Sequence, residues 1–484
     1  MLKLRLMKKK IIIFSVLFLI LYLAFPSIID VGVLKNIKNK FSSEQKYIIK
    51  KYLFPYKLID KLEIDNNELE KDYAQSRNQI SQLAIDNDIK LKKSLDPLIF
   101  EKIKNEKLLN YQDLKLKIFE NEKSFLMGIN NLTPGSAFIE YYDDNLFIVS
   151  SIGILGYGKL NSEQIIFTQI KNNIEEFIGI NQFKKGEDIH MYDNKLRKRK
   201  RNWFSVKDLK IFNNKIYVSY TREMTDDCWN TSVIFADLNF KELNFQNLFS
   251  PNTCIHSSKN KDNEFNAHQS GGRVINIDKN HILLSIGDYR SRYLSQDKES
   301  IFGKILKINI NTQKFEIISM GNRNAQGLFY NKENNFVLET EHGPLGGDEI
   351  NLIELNQENI SNYGWAVASY GEHYGGRIHQ NKQKYEKYPL FKSHQNNGFI
   401  EPLKYFTPSI GISEIVGLND DKSYAVSSLK DKSIYFFNLN KNNEIENFKK
   451  VEIGERIRDL IFYQNKIIMF LEDTASIGII DVIK

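Results

Sequence analysis

Residues 136–160 read SAFIEYYDDNLFIVSSIGILGYGKL: a short apolar strand, an Asp-Asp-Asn turn and a second apolar strand. Asx-rich turns between apolar runs are hairpin chemistry, because Asn and Asp tolerate the left-handed backbone that a tight turn demands. The pattern returns at 209–221 (LKIFNNKIYVSYT), 273–288 (RVINIDKNHILLSIGD), 327–343 (GLFYNKENNFVLETEHG), 415–440 and 460–482. About six such units spread over roughly 350 residues correspond to blades of ~50–60 residues. The periodicity therefore predicts an all-β domain of repeated hairpins over 131–484.

Composition agrees. The chain has 484 residues, 12% of them aromatic, and only nine prolines. A formal charge of +7 arises from 67 basic and 60 acidic residues spread along the whole length. That is a solvated surface with no nucleic-acid footprint. The one dense basic run, Lys195 to Arg201, reads as a solvated loop, with an acidic partner or anionic lipid as the alternative.

The N-terminus differs from the rest. Lys8-Lys9-Lys10 precede an apolar run from Ile11 to Phe25, extended past Pro26 by Ile28-Ile29. A helix over 11–29 would be roughly 28 Å long, just enough to cross a bilayer. A signal peptide shares this layout, but no small-x-small cleavage site follows. We read 1–30 as an uncleaved membrane anchor with the remainder exported, which places the main domain in the periplasm on the inner membrane; cleavage would make it secreted. Residues 31–130 are rich in Lys, Glu, Asn, Leu and Ile. Ser42-Ser43-Glu44-Gln45 resembles a capping box, and Leu69, Tyr73, Ile80 and Leu83 form a narrow apolar stripe, so a helix-rich stalk is expected. Two cysteines, Cys228 and Cys254, fall in loop-like sequence; export favours a disulfide, and two buried thiols are the alternative. Such a bond would be worth on the order of 3 kcal/mol.

The stretch EHGPLGGDEIN (341–351), followed by Asn362-Tyr363-Gly364-Trp365, is too irregular for a helix or plain strand. Gly343-Pro344 can present two successive carbonyls in a fixed turn, and Asp348 and Glu349 add carboxylates. Hard oxygen donors of this kind suit calcium better than zinc or copper.

Together with GNRNAQGLFYN (321–331), NYGWAVASYGEHY (362–374), AHQSGGRVINIDKNHILLSIGD (267–288) and GKILKINI (303–310), that stretch resembles the soluble quinone-dependent aldose dehydrogenases, the glucose/sorbosone dehydrogenase family. The resemblance runs from about 200 to 484. It implies a six-bladed β-propeller that binds pyrroloquinoline quinone (PQQ) and calcium on its axis and oxidises a sugar. It assigns His268 as the base that takes the hydroxyl proton, a task suited to imidazole near neutral pH. Arg323 and Asn324 would hold a quinone oxygen, Arg323 also stabilising negative charge. Lys430, Arg456 and Arg458 would take the cofactor's carboxylates, and two arginines two apart on a strand can aim at one anion. Calcium would sit on the carbonyls of Gly343 and Pro344, with a second, structural calcium at Glu349 and Tyr363; Trp365 and Tyr370 would wall the cofactor face. Electrons would pass to a respiratory acceptor.

Two departures fall on the substrate side. Residues 201–208 (RNWFSVKD) lack the Gly-Leu-Leu-Gly-type segment of active glucose dehydrogenases, and Ala267 stands where some relatives carry an acid. They favour the rival reading, a non-catalytic propeller that binds a glycan or protein. A calcium-dependent lactonase-type hydrolase is third, and the converging carboxylates it needs are not evident in the sequence.

Overall fold

The computed structural model describes residues 86–482, apart from 104, 112–113, 122–135, 180–189, 193–194, 198–202 and 358, together with Leu83. The expected anchor over 11–29 and the helical features between 42 and 80 lie outside the described residues. Among those described, no helix is long and apolar enough to cross a membrane.

The described chain is all-β. Six four-stranded antiparallel units follow one another; in five the strands pair in sequence order, and the sixth takes its fourth strand from the N-terminal side. Their first strands are Ala137–Tyr142, Ser205–Phe212, Gly271–Asn276, Ala325–Asn331, Ile412–Gly417 and Ile457–Tyr463. Each packs against the next, and the last returns to the first, so the six close a ring around a common axis. The turns behave as their sequence requires: Asp143-Asp144, Asn213-Asn214 and Gln464-Asn465 are two-residue hairpin loops with both φ angles positive. Their strands are apolar because both faces are covered, as the burial of every residue from Leu146 to Ser150 illustrates.

The N-terminal side departs from expectation. A helix does occupy 86–94. Yet Leu98–Lys102 and Lys115–Asn121 are strands of the β-domain itself. Lys115–Asn121 pairs with Ser476–Asp481 as the fourth strand of the last unit. Leu98–Lys102 pairs with it on one side and with Gln164–Gln169 of the first unit on the other, fusing first and last units into one ten-stranded sheet. The boundary expected at 131 therefore falls too late. The sequence hid this because these strands alternate buried and exposed residues among lysines and glutamates, as outer strands do, and lack a hairpin turn between them. Phe100, Leu116 and Phe119 anchor them, each at most 1% exposed.

Five of the six first strands carry a register shift near the axis: at 206/208, 271/274, 325/327, 412/415 and 457/459. A bulge frees one or two residues from the ladder and re-aims their side chains. Lys207, Arg273, Gln326, Glu414 and Arg458 all sit in these shifts.

Cys228 and Cys254 are joined, their Cα atoms 5.3 Å apart, which ties the strand Cys228–Asp237 to the following loop. Of the basic run, Lys195–Arg197 pairs with His190–Tyr192 as a short hairpin.

Candidate functional site

Two cavities lie along the axis, and an ionic cluster lines one of them. Arg273, fully buried, contacts Asp208 Oδ1 (2.7 Å), Asp459 Oδ1 (2.9 Å) and Glu414 Oε2 (2.5 Å). Each remaining carboxylate oxygen of these three accepts a backbone N–H, from Val274, Ile139 and Ile415. All six carboxylate oxygens are thus engaged, so this cluster is a structural bolt between units. Burial raises the Asp208 carboxyl to about 7, Arg273 opposing the shift.

The second cavity, about 200 Å³, collects most residues that the sequence marks for chemistry. His268, Arg323, Asn324, Arg456 and Arg458 line it, joined by Lys207, Gln269, Gln326, His342 and Tyr374, with Phe138 and Leu429 as apolar surfaces. Among the described residues no carboxylate lines it, while three arginines and Lys207 do. A cavity with that charge and those planar donors fits a polyanionic ligand.

The arginines are held in place. Arg323 Nη1 donates to the carbonyls of His342 and Gly343, both at 2.7 Å, and its guanidinium stands 5.4 Å from the Trp365 ring. With the Gln269 amide oxygen turned toward it, Nη2 donates there at 2.7 Å, while the amide nitrogen donates to Asp288. Asp288, fully buried, also accepts from Trp365 Nε1 at 2.8 Å. Asn324 Oδ1 accepts the Gly271 N–H, tying the 267–273 segment to the 321–327 turn. Arg456 and Arg458 share one carboxylate: Glu472 accepts Arg456 Nε at 2.8 Å, and Arg458 Nε and Nη2 at 3.0 and 2.7 Å. Glu472 is 1% exposed and was not singled out from sequence. Its position two strands' length downstream carries no local signal.

His268 follows an Asx turn in which its own N–H donates to Asn266 Oδ1 at 2.9 Å. His342 was also missed. Burial, with Arg323, Arg458 and Arg456 nearby, lowers its imidazole to about 4, so it faces the cavity neutral at pH 7. Tyr374 sits at the mouth, 43% exposed, and Arg323 holds its phenol below the usual range.

Several expected residues stand elsewhere. Lys430 is exposed and does not line the cavity; its N–H donates to the Ile410 carbonyl, and its neighbour Leu429 reaches the cavity instead. Trp365 is 3% exposed and backs Arg323 rather than walling the cavity. Tyr370 stacks on Tyr405 at 3.6 Å, and Tyr374 takes the cavity position. These placements share a cause: spacing along an irregular loop does not reveal which residue turns inward.

The 341–351 turn is organised by Asp348, which accepts the N–H groups of Gly343 (2.9 Å), Gly411 (2.7 Å) and Ile412 (3.1 Å). Asp348 is thereby a brace. The Gly343 carbonyl meets Arg323, and that of Pro344 accepts Ser409 Oγ at 3.3 Å. Glu349 faces Glu341 across the strand pair, and Glu339 accepts Asn351 Nδ2 at 2.9 Å. Glu339 Oε1, Glu341 Oε2 and Asn351 Oδ1 are buried without a hydrogen-bond partner among the described residues. Burial pushes all three glutamates up, Glu341 to about 8. Orphaned oxygens beside Glu349 fit a hard cation, although among the described residues no three His, Cys, Asp or Glu side chains form a metal-binding group. Tyr363 is buried, its phenol donating to the Leu352 carbonyl at 2.5 Å.

On the substrate side, Trp203 and Phe204 are buried against Trp229, with Phe265 edge-on to Trp203 at 4.8 Å, and Ala267 is fully buried. From Trp203 to Val206 the departing segment is thus buried core, up to the point where Lys207 emerges.

Comparison with known proteins agrees with this architecture. The family model described as Glucose / Sorbosone dehydrogenase matches residues 210–480. Aldose sugar dehydrogenase YliI of Escherichia coli is 28% identical over 226 residues, 43% of this chain and 57% of that protein. An uncharacterised protein of Synechocystis, slr1608, is 30% identical over 219 residues, 39% of this chain and 50% of that protein. The chain spans about half the length of these curated relatives. Among solved structures, the soluble aldose sugar dehydrogenase of Escherichia coli in its apo-form superposes with a TM-score of 0.53 at 18% identity, covering 72% of this chain and 95% of that one. The PQQ-bound aldose sugar dehydrogenase of Streptomyces coelicolor gives 0.50 at 14%, covering 80% and 98%. At these identities the superpositions speak for the fold, a propeller-like all-β ring.

Proposed function

We propose that this chain, which belongs to the glucose/sorbosone dehydrogenase family, is a six-bladed propeller that oxidises an aldose or related hydroxyl compound with PQQ and calcium. The observation that carries the reading is that His268, Arg323, Arg456 and Arg458 line one cavity, with no carboxylate among its described lining residues. Arg456 and Arg458, locked on Glu472, would hold cofactor carboxylates; Arg323 and Asn324 would hold a quinone oxygen. The carbonyls of Gly343 and Pro344 would carry one calcium, and Glu349, beside the orphaned oxygens of Glu339 and Glu341, would contribute to a second with the backbone at Tyr363. When bound, PQQ supplies the two-electron acceptor, and calcium makes its carbonyl more electrophilic.

The protein's share is proton and charge handling. His268 takes the substrate hydroxyl proton as the carbon's hydride departs. Arg323, fixed by two backbone carbonyls and Gln269, offers a preorganised positive charge where negative charge develops. Phe138 and Leu429 exclude water on the apolar side. Attachment to the inner membrane, a periplasmic location and transfer of electrons to a respiratory acceptor complete the proposal. The buried aromatic pair Trp203 and Phe204 favours one alternative, a propeller that keeps the fold and binds a glycan or protein.

Titration with PQQ in the presence and absence of calcium, followed by absorbance, decides between them. Saturable, calcium-dependent binding is expected, followed by dye-linked oxidation of at least one aldose. His268→Ala is expected to abolish that oxidation while retaining PQQ binding. Equal turnover in the variant would remove His268 as the base.

A further inference from the structure

Lys207 has no role in the reading above, yet the fold builds a place for it. It occupies the register shift between Val206 and Asp208, so its side chain leaves the ladder of its own strand. Asp208, next along, turns onto Arg273 in the ionic bolt. Lys207 lines the other cavity, beside His268, Arg456 and Arg458. Gly272 makes room for it: a Cβ there would stand 2.3 Å from Lys207 Cβ and 2.9 Å from Cγ. At 7% exposure the lysine is more than nine-tenths buried, and among the described residues no carboxylate or carbonyl pairs with its ammonium. A buried cation without a counterion is rare, because desolvation penalises the charged form unless something compensates it.

We propose that Lys207 is an anion-binding residue of this cavity, taking a carboxylate of the bound cofactor or of an acidic sugar substrate. The inference rests on the quinoprotein reading for the identity of the ligand, though not for its charge. Three observations meet here: a bulge that aims the side chain inward, a glycine that accommodates its stem, and a lining with no acid to neutralise it. The chemistry fits, since an ammonium is a compact point charge that can follow a carboxylate at a flexible stem's length. Burial, with Arg458 alongside, also lowers its ammonium to about 7. An incoming carboxylate would restore the charged form, so binding would take up a proton.

The full chain and its Lys207→Met and Lys207→Arg variants are compared in PQQ titrations with calcium from pH 6 to 9. If the cofactor supplies the anion, wild-type affinity falls about tenfold per pH unit above 7. Lys207→Met then binds at least tenfold more weakly at pH 6 with a flat profile, and Lys207→Arg binds tightly with a flat profile. The other ionisable groups facing this cavity are His268, His342, Tyr374, Arg323, Arg456 and Arg458. All persist in Lys207→Arg, so a slope lost in that variant belongs to Lys207.

If the substrate supplies the anion, PQQ affinity is equal in all three proteins. KM for a uronic acid then rises at least tenfold in Lys207→Met, and KM for the neutral aldose does not. Equality in PQQ affinity, its pH slope and the ratio of those KM values overturns the proposal. Should the wild type bind no PQQ, the quinoprotein reading fails, and citrate becomes the probe. Fivefold or greater protection of Lys207 from acetylation by citrate, read by peptide mass spectrometry, supports the inference; no protection overturns it.

Discussion

At the scale of single residues, the site depends on groups that hold the catalytic candidates as much as on the candidates themselves. Glu472 fixes two guanidiniums with three hydrogen bonds. Glu472→Ala strands both, one of them buried, and breaking such a pair costs about 3–5 kcal/mol. We expect a Tm loss of that order and weakened PQQ binding; an unchanged melting curve would show that the arginines need no brace. Lys207 makes the opposite prediction. Its ammonium falls from 10.5 in the unfolded chain to about 7 in the folded one. Between those values the unfolded chain binds a proton that the folded chain does not, so apo stability rises with pH from 7 toward 10.5. Below 7 the full penalty of burying the charge remains. Lys207→Met should therefore stabilise the apo protein at pH 6 by up to about 5 kcal/mol, with the gain shrinking as pH rises to 10. Denaturant midpoints at the two pH values test this, and a gain independent of pH would remove the charge as its cause.

At the scale of elements, the bulge is the device that matters. A strand of strict alternation would point Arg456 and Arg458 to one face. Both do reach Glu472, and alternation sends Asp459 the other way onto Arg273, while the shift at 457/459 leaves Arg458 unpaired in the ladder at the cavity wall. The same device separates Lys207 from Asp208. Arg456→Ala combined with Arg458→Ala should weaken PQQ binding by several kcal/mol, since charge-assisted hydrogen bonds are worth about 1.5–3 kcal/mol each. An unaltered titration would dismiss the clamp. Hairpins were legible in the sequence because Asp143-Asp144 and Asn213-Asn214 carry the turn in their own chemistry. Bulges were not, because they answer to neighbouring strands.

At the scale of the whole molecule, closure joins chain ends. Leu98–Lys102 and Lys115–Asn121 lie between the first unit and the last, so the ring is completed by residues more than 350 positions apart, Leu116 opposite Ile480. Their fully buried anchors Phe100, Leu116 and Phe119 each contribute about 1.5–3 kcal/mol. A chain beginning at residue 131 should lose its cooperative melting transition, whereas one beginning at residue 80 should keep it. Equal transitions in both would mean that the ring closes without these strands.

What the sequence determined by itself was local. Hairpin turns, apolar strand pairs and the 341–351 motif each carry their signal within a few residues, and their resemblance to the sugar dehydrogenases pointed to His268, Arg323, Asn324, Lys430, Arg456 and Arg458 as a set. Only the tertiary structure decided which side chains meet. It set Lys430 outside the cavity, placed Tyr374 rather than Tyr370 on its lining, joined Glu472 to two arginines and brought Lys207 into a chamber with no acid among its described lining residues. The physical reason is that a propeller assembles its axis from six separate strands. Each contributes only a few axial residues, so their contacts are set by sheet register and bulges that no single stretch encodes.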